Sequence, residues 1–136
     1  SFIDAGFTST VEQGQKSVAI TNGAINFLSL GKPDYIVIEF GDGCYGEYGV
    51  INILKDPSIQ KNIVAHIGCA HDLMGAAKLF EVCKEIGAPL DMLSGPVTDN
   101  TVGGQFIADQ LKLPAINALY SGEELFEQLL LTCLKK

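Results

Sequence analysis

Tyr35-Ile-Val-Ile-Glu39-Phe-Gly41-Asp42-Gly43-Cys-Tyr-Gly46 is the stretch on which the reading of the fold turns. A continuous apolar run reaches an acidic residue and then a glycine-punctuated acidic turn. A short apolar run bounded by turn residues predicts a strand buried on both faces of a parallel sheet. Open parallel sheets bind ligands in the crevice beyond the carboxyl ends of their strands. Glu39 and Asp42 are therefore expected where chemistry takes place, with no lysine or arginine beside them in sequence.

Working outward, apolar runs alternate with helical patterns from end to end. Strands are predicted at residues 2–5, 35–40, 62–68, 89–94 and 115–120. The clearest helix runs from Asp72 to about Ile86: Asp72 caps it, Leu73, Ala76, Phe80 and Cys83 line one stripe, and Gly87 with Pro89 stops it. A final helix opens on the capping-box pattern Ser121-Gly-Glu-Glu124 and buries Leu125, Phe126, Leu129, Leu130 and Cys133. Its closing lysines suit the negative helix terminus. Residues 101–112 form a shorter helix with Phe106, Ile107 and Leu111 inward, and another runs from about Glu47 to Leu54. A helix from about Lys16 to Leu30 competes with a strand and turn at Val18–Ile20 and Asn22-Gly23. This alternation predicts an α/β fold, a three-layer sandwich around a mostly parallel sheet of about five strands.

With 136 residues, 47% of them apolar, the chain is long enough for one domain with a real core. Nine basic residues against 16 acidic ones, with the basic ones scattered, argue against nucleic acid as a partner. No apolar run approaches the roughly 20 residues needed to span a bilayer, so no membrane segment is expected. The start, Ser-Phe-Ile-Asp-Ala-Gly, has no basic residue and no Met, and reads as part of a longer or processed polypeptide. The four cysteines, Cys44, Cys69, Cys83 and Cys133, show no C-x-x-C spacing, which favours free thiols in a reducing, cytoplasmic setting.

Four constellations could carry chemistry. At the acidic turn, Glu39 and Asp42 would hold Mg²⁺ while Gly41 and Gly43 let a phosphate approach the backbone. The competing reading is a solvated, helix-capping loop. Ala5-Gly-Phe-Thr8-Ser-Thr10 offers hydroxyls for a phosphate, or for helix capping. His66-Ile-Gly-Cys69-Ala-His71-Asp72 matches no zinc-finger spacing, leaving a Cys69–His71 nucleophile pair or a structural role. Ser94-Gly-Pro-Val-Thr-Asp99-Asn100-Thr101 could read a base, a sugar or a small acid with Asp99 and Asn100, or simply turn the chain and cap a helix.

Residues 35–43 resemble the strand and turn of dethiobiotin-synthetase-type P-loop proteins, in which an apolar strand ends in Glu before a glycine-rich turn. The chain is more similar still to uncharacterised proteins that join a Rossmann-like amino-terminal domain to a P-loop domain of that type. There a strand like Phe2-Ile-Asp-Ala-Gly-Phe-Thr8 follows the P-loop helix, and the chain closes with a segment like Leu113-Pro-Ala-Ile-Asn-Ala-Leu-Tyr-Ser-Gly122. The resemblance implies a P-loop NTPase-like or Rossmann-like fold and an ATP- and Mg²⁺-dependent ligase- or kinase-like enzyme with a small-molecule substrate. In it Glu39 is the metal carboxylate, Asp42 assists, and Thr8 is a phosphate-side hydroxyl. The family's G-x-x-x-x-G-K-S/T loop occurs nowhere in these residues, and Asp42 stands where the synthetase turn has a small residue. The chain is accordingly expected to be the carboxyl-terminal portion of such a domain, inactive and without bound cofactor alone. Alternatives are a non-enzymatic small-molecule-binding or oligomerising module, with a homo-oligomer as one form of it, and the Cys69–His71 enzyme.

Overall fold

A computed structural model describes residues 16–47 and 49–135, without the side chains of residues 126, 130 and 133–135. The chain divides into two compact units, Ser1–Lys61 and Asn62–Lys136. The expected strand at residues 2–5, the loop with Thr8, and the inward roles of Phe126, Leu130 and Cys133 lie outside the described residues.

In the first unit, α1 spans Lys16–Ser29, and its buried stripe is small: Ser17, Thr21 and Ala24. That spacing of four and three residues puts them on one helix face, which packs against α2, Val50–Lys55. Asn22 and Gly23 are helical, so the strand-and-turn alternative for this stretch is not adopted. The helix stops as Lys32 takes a left-handed backbone, φ 51°, immediately before Pro33, which cannot continue it. Helix α2 begins later than expected, at Val50 rather than near Glu47, and buries Val50, Ile53 and Leu54. Asp56 ends α2 and caps α3, Pro57–Gln60, accepting a 2.9 Å bond from the Ser58 backbone N–H. Pro57 occupies the first helical position, where a missing N–H costs nothing. The Asn22 side-chain amide donates to Ser58 Oγ at 3.0 Å, tying α1 to α3.

The second unit carries the sheet. Strands β1, Ile67–Cys69, and β2, Met92–Ser94, run parallel in the register Ile67↔Met92, Gly68↔Leu93, Cys69↔Ser94. Helix α4, Leu73–Glu85, connects them, capped by the Asp72 carboxylate on the Gly75 N–H at 2.8 Å. Ala76, Val82 and Cys83 from α4 bury with Met92 and Leu93 from β2 and with Ile107 and Ile116. Each large aliphatic side chain sealed in this way contributes about 1.5–3 kcal/mol. After β2 come a 3₁₀ turn at Pro96–Thr98, α5 at Thr101–Phe106, a π-helical turn at Ile107–Leu111, and α6 at Gly122–Lys135.

The five-stranded three-layer sandwich is not what the chain forms. Helices dominate, and the described residues hold one parallel sheet of two strands. No described strand pairs with residues 35–40, and Val37 is 95% exposed. An apolar run becomes a strand only where neighbours offer their edges. Strand 62–68 shrinks because the His66 N–H goes to the Asp91 carboxylate, 2.8 Å, leaving β1 to begin at Ile67. The Asp91 N–H still reaches the His66 carbonyl, 2.8 Å, and β2 runs only from Met92 rather than from residue 89. Strand 115–120 is reduced to one parallel bridge, Leu93↔Ala115. Pro114 brings no N–H to a ladder, and the Asn117 side chain turns the chain two residues later.

Candidate functional site

The built site lies beyond the carboxyl end of β2. Gly95 turns the chain out of the sheet with φ 96°, and a Cβ there would sit 2.7 Å from the Ala70 carbonyl oxygen. Only glycine suits both constraints. The Ala70 N–H donates to the Ser94 carbonyl at 3.0 Å, and the Val97 N–H to the Ala70 carbonyl at 3.1 Å, which pins the loop to the end of β1. Thr98 folds onto Gly95 through its hydroxyl, 2.7 Å, and its N–H, 2.8 Å. Asn100 then caps α5, its Oδ1 accepting from the Gly103 N–H at 3.0 Å. Gly103 lies directly against the Val97 carbonyl, so α5 approaches the loop more closely than any side chain would permit.

From the other side comes the turn after the Ala115 bridge. Asn117 Oδ1 accepts from the N–H groups of Leu119, 2.9 Å, and Tyr120, 3.1 Å. Its amide nitrogen donates to Asp99 Oδ1 at 2.8 Å. Asp99, Asn100 and Asn117 thus converge on an open hollow of about 620 Å³, whose rim also includes Thr98, Thr101, Gln105 and Tyr120. The Tyr120 ring is 81% exposed. The lining holds one carboxylate, several neutral donors and acceptors, and no cation. Such a surface suits a neutral or cationic group with hydroxyls or amines, and it is the wrong charge for phosphate.

Of the residues expected from sequence to bind a cofactor, Asp99 and Asn100 fall in this hollow, and Asn100 doubles as the helix cap. Glu39, Gly41, Asp42 and Gly43 belong to the first unit. Glu39 and Asp42 are both exposed, and neither makes an ion pair among the described residues. Gly43 has φ 65°, Gly41 faces open space, and the Asp42 side chain folds over Gly46. No three His, Cys, Asp or Glu side chains come together to hold a metal among the described residues. Mg²⁺ held at Glu39 and Asp42 would need water or a ligand's phosphates to complete its coordination.

Cys69 ends β1, and His71 lies in the bend before α4, both exposed. His66 is anchored elsewhere, its Nδ1 3.0 Å from the Ala88 carbonyl. Sequence reading missed Asn117, Gln105 and Tyr120. The signal for Asn117 was present, since Asn following a proline-broken run is a turn former, but the apolar neighbours favoured a strand. No helix is long and apolar enough to cross a membrane among the described residues. Nothing among protein-family models, curated proteins or solved structures matches this chain.

Proposed function

We propose that the unit Asn62–Lys136 binds the uncharged, hydrogen-bonding part of a small polar ligand, a nucleoside- or sugar-like group. It does so as one portion of an ATP-dependent enzyme of ligase- or kinase-like type. The observation that carries this reading is the Asp99–Asn117 pair, fixed at 2.8 Å in a hollow beyond the end of parallel strands. Asn117 has every acceptor of its amide committed to backbone, so it presents Asp99 in one orientation. The other carboxylate oxygen is left to accept from a ligand hydroxyl or amine. The exposed Tyr120 ring offers a face for stacking.

A lining without cations supports a division in which phosphate is bound elsewhere in the protein. The family resemblance supports the same division, because the phosphate-gripping glycine-lysine loop is missing from these residues. The 136-residue chain alone is therefore expected to show no micromolar ATP binding by calorimetry; such binding would refute the division of labour.

The ligand-binding reading itself is tested by amide chemical-shift titration of the chain with adenosine, ribose and small carboxylic acids. The neutral compounds should move the amides of residues 98–101 and 117–120, and Asn117→Ala should abolish those shifts. If none of the compounds perturbs these amides at saturating concentration, the hollow is not a binding site.

A further inference from the structure

Where α1, α2 and α3 meet, residues of the first unit line an open hollow of about 610 Å³. Val18 and Asn22 stand four residues apart on α1, and Asn52 and Lys55 three apart on α2, so each helix turns one stripe toward it. Asp56 and Pro57 close it at the start of α3.

The carboxylate in this hollow is held in place. Asp56 Oδ1 accepts from the Ser58 N–H at 2.9 Å and from the Ser58 hydroxyl. The Ser58 hydroxyl oxygen in turn accepts from the Asn22 amide at 3.0 Å, a tie across 36 positions of sequence. Both bonds to Asp56 fall on one carboxylate oxygen, which leaves Oδ2 to accept from something else. Lys55, the preceding residue, lines the same hollow but forms no ion pair with Asp56 or any other acid among the described residues. The Asn52 side chain makes no hydrogen bond among them either.

An ammonium and a carboxylate left over on one surface set the charge pattern of what fits there. A simple anion gains Lys55 and is repelled by Asp56, and a simple cation meets the reverse. A ligand carrying both charges a few atoms apart satisfies both groups. We propose that this hollow binds a small zwitterion of the amino-acid class. Its carboxylate lies on Lys55 and the Asn52 amide, its ammonium on Asp56 Oδ2, and its aliphatic part against Val18 and Pro57.

Amide chemical-shift titration of the 136-residue chain at constant ionic strength tests this with three ligands of one size: L-alanine, propionate and ethylamine. L-alanine should shift the amides of residues 18–22 and 52–56 saturably. Propionate lacks the ammonium and ethylamine the carboxylate, so each should bind roughly tenfold more weakly. Asp56→Asn keeps a competent cap on α3 while removing the charge, and should bind L-alanine no better than propionate. Lys55→Gln, at an exposed helical position, should bind it no better than ethylamine. Equal affinity of the wild-type chain for L-alanine and either fragment would overturn the proposal, as would the absence of any saturable shift. So would variants that keep the wild-type preference for the zwitterion.

Discussion

Two glycines of the Asn62–Lys136 unit, Gly95 and Gly104, carry opposite expectations. Gly95 combines φ 96° with the Ala70 carbonyl 2.7 Å from any added Cβ. Gly95→Ala should therefore destabilise the chain by about 2–3 kcal/mol, measured by urea unfolding. Gly104 sits inside α5 with nothing within 4 Å of an added Cβ. Gly104→Ala should instead stabilise by about 0.5–1 kcal/mol, because it removes backbone freedom from a helical position. Asn117→Ala strips two backbone N–H groups and Asp99 of their partner, at a cost of about 1–2 kcal/mol in the same assay. At this scale the sequence was informative where a residue acts on its immediate neighbours. Asp72 and the break at Gly87 could be read directly, and Asp99 and Asn100 were singled out because polar residues after an apolar run mark a rim. Asn117 escaped because its partner Asp99 is 18 residues away.

Among elements, helices and strands fared differently for a physical reason. A helix closes its hydrogen bonds within itself, so its periodicity and caps locate it. Lys16–Ser29 and Leu73–Glu85 accordingly match the expected spans to within a residue or so. A strand borrows its bonds from elsewhere, and its length is decided by what competes for them. Here Asp91 takes the His66 N–H, Pro114 withholds one, and Asn117 bends the chain away. The apolar run at 35–40 shows the limit of pattern reading, since apolarity reports a tendency to be covered and does not name the cover. Helix α3, Pro57–Gln60, was not foreseen, although Asp56-Pro57 is a legible start signal. Removing a cap tests the helical side of this account: Asp72→Ala should cost about 1 kcal/mol. The same loss at the start of α5, by Asn100→Ala, should also loosen the hollow, seen as faster amide exchange at Gly103.

For the whole molecule, the second unit holds its sheet, its capped helices, its core and its hollow within 62–136. Expressed as that segment alone, it should unfold cooperatively in urea and keep the chemical shifts of residues 98–101. A featureless, non-cooperative transition would show that it depends on residues 1–61. The first unit has a different character, because one hydroxyl in its interior does nothing for it. Thr21 Oγ1 is buried among the described residues with no hydrogen-bond partner. A shape-preserving Thr21→Val exchange should raise the stability of that unit by about 1 kcal/mol while leaving the other untouched. Its melting signal would then serve as a tracer, moving one thermal transition and holding the second still. The idle hydroxyl also marks a place where the first unit holds stability in reserve.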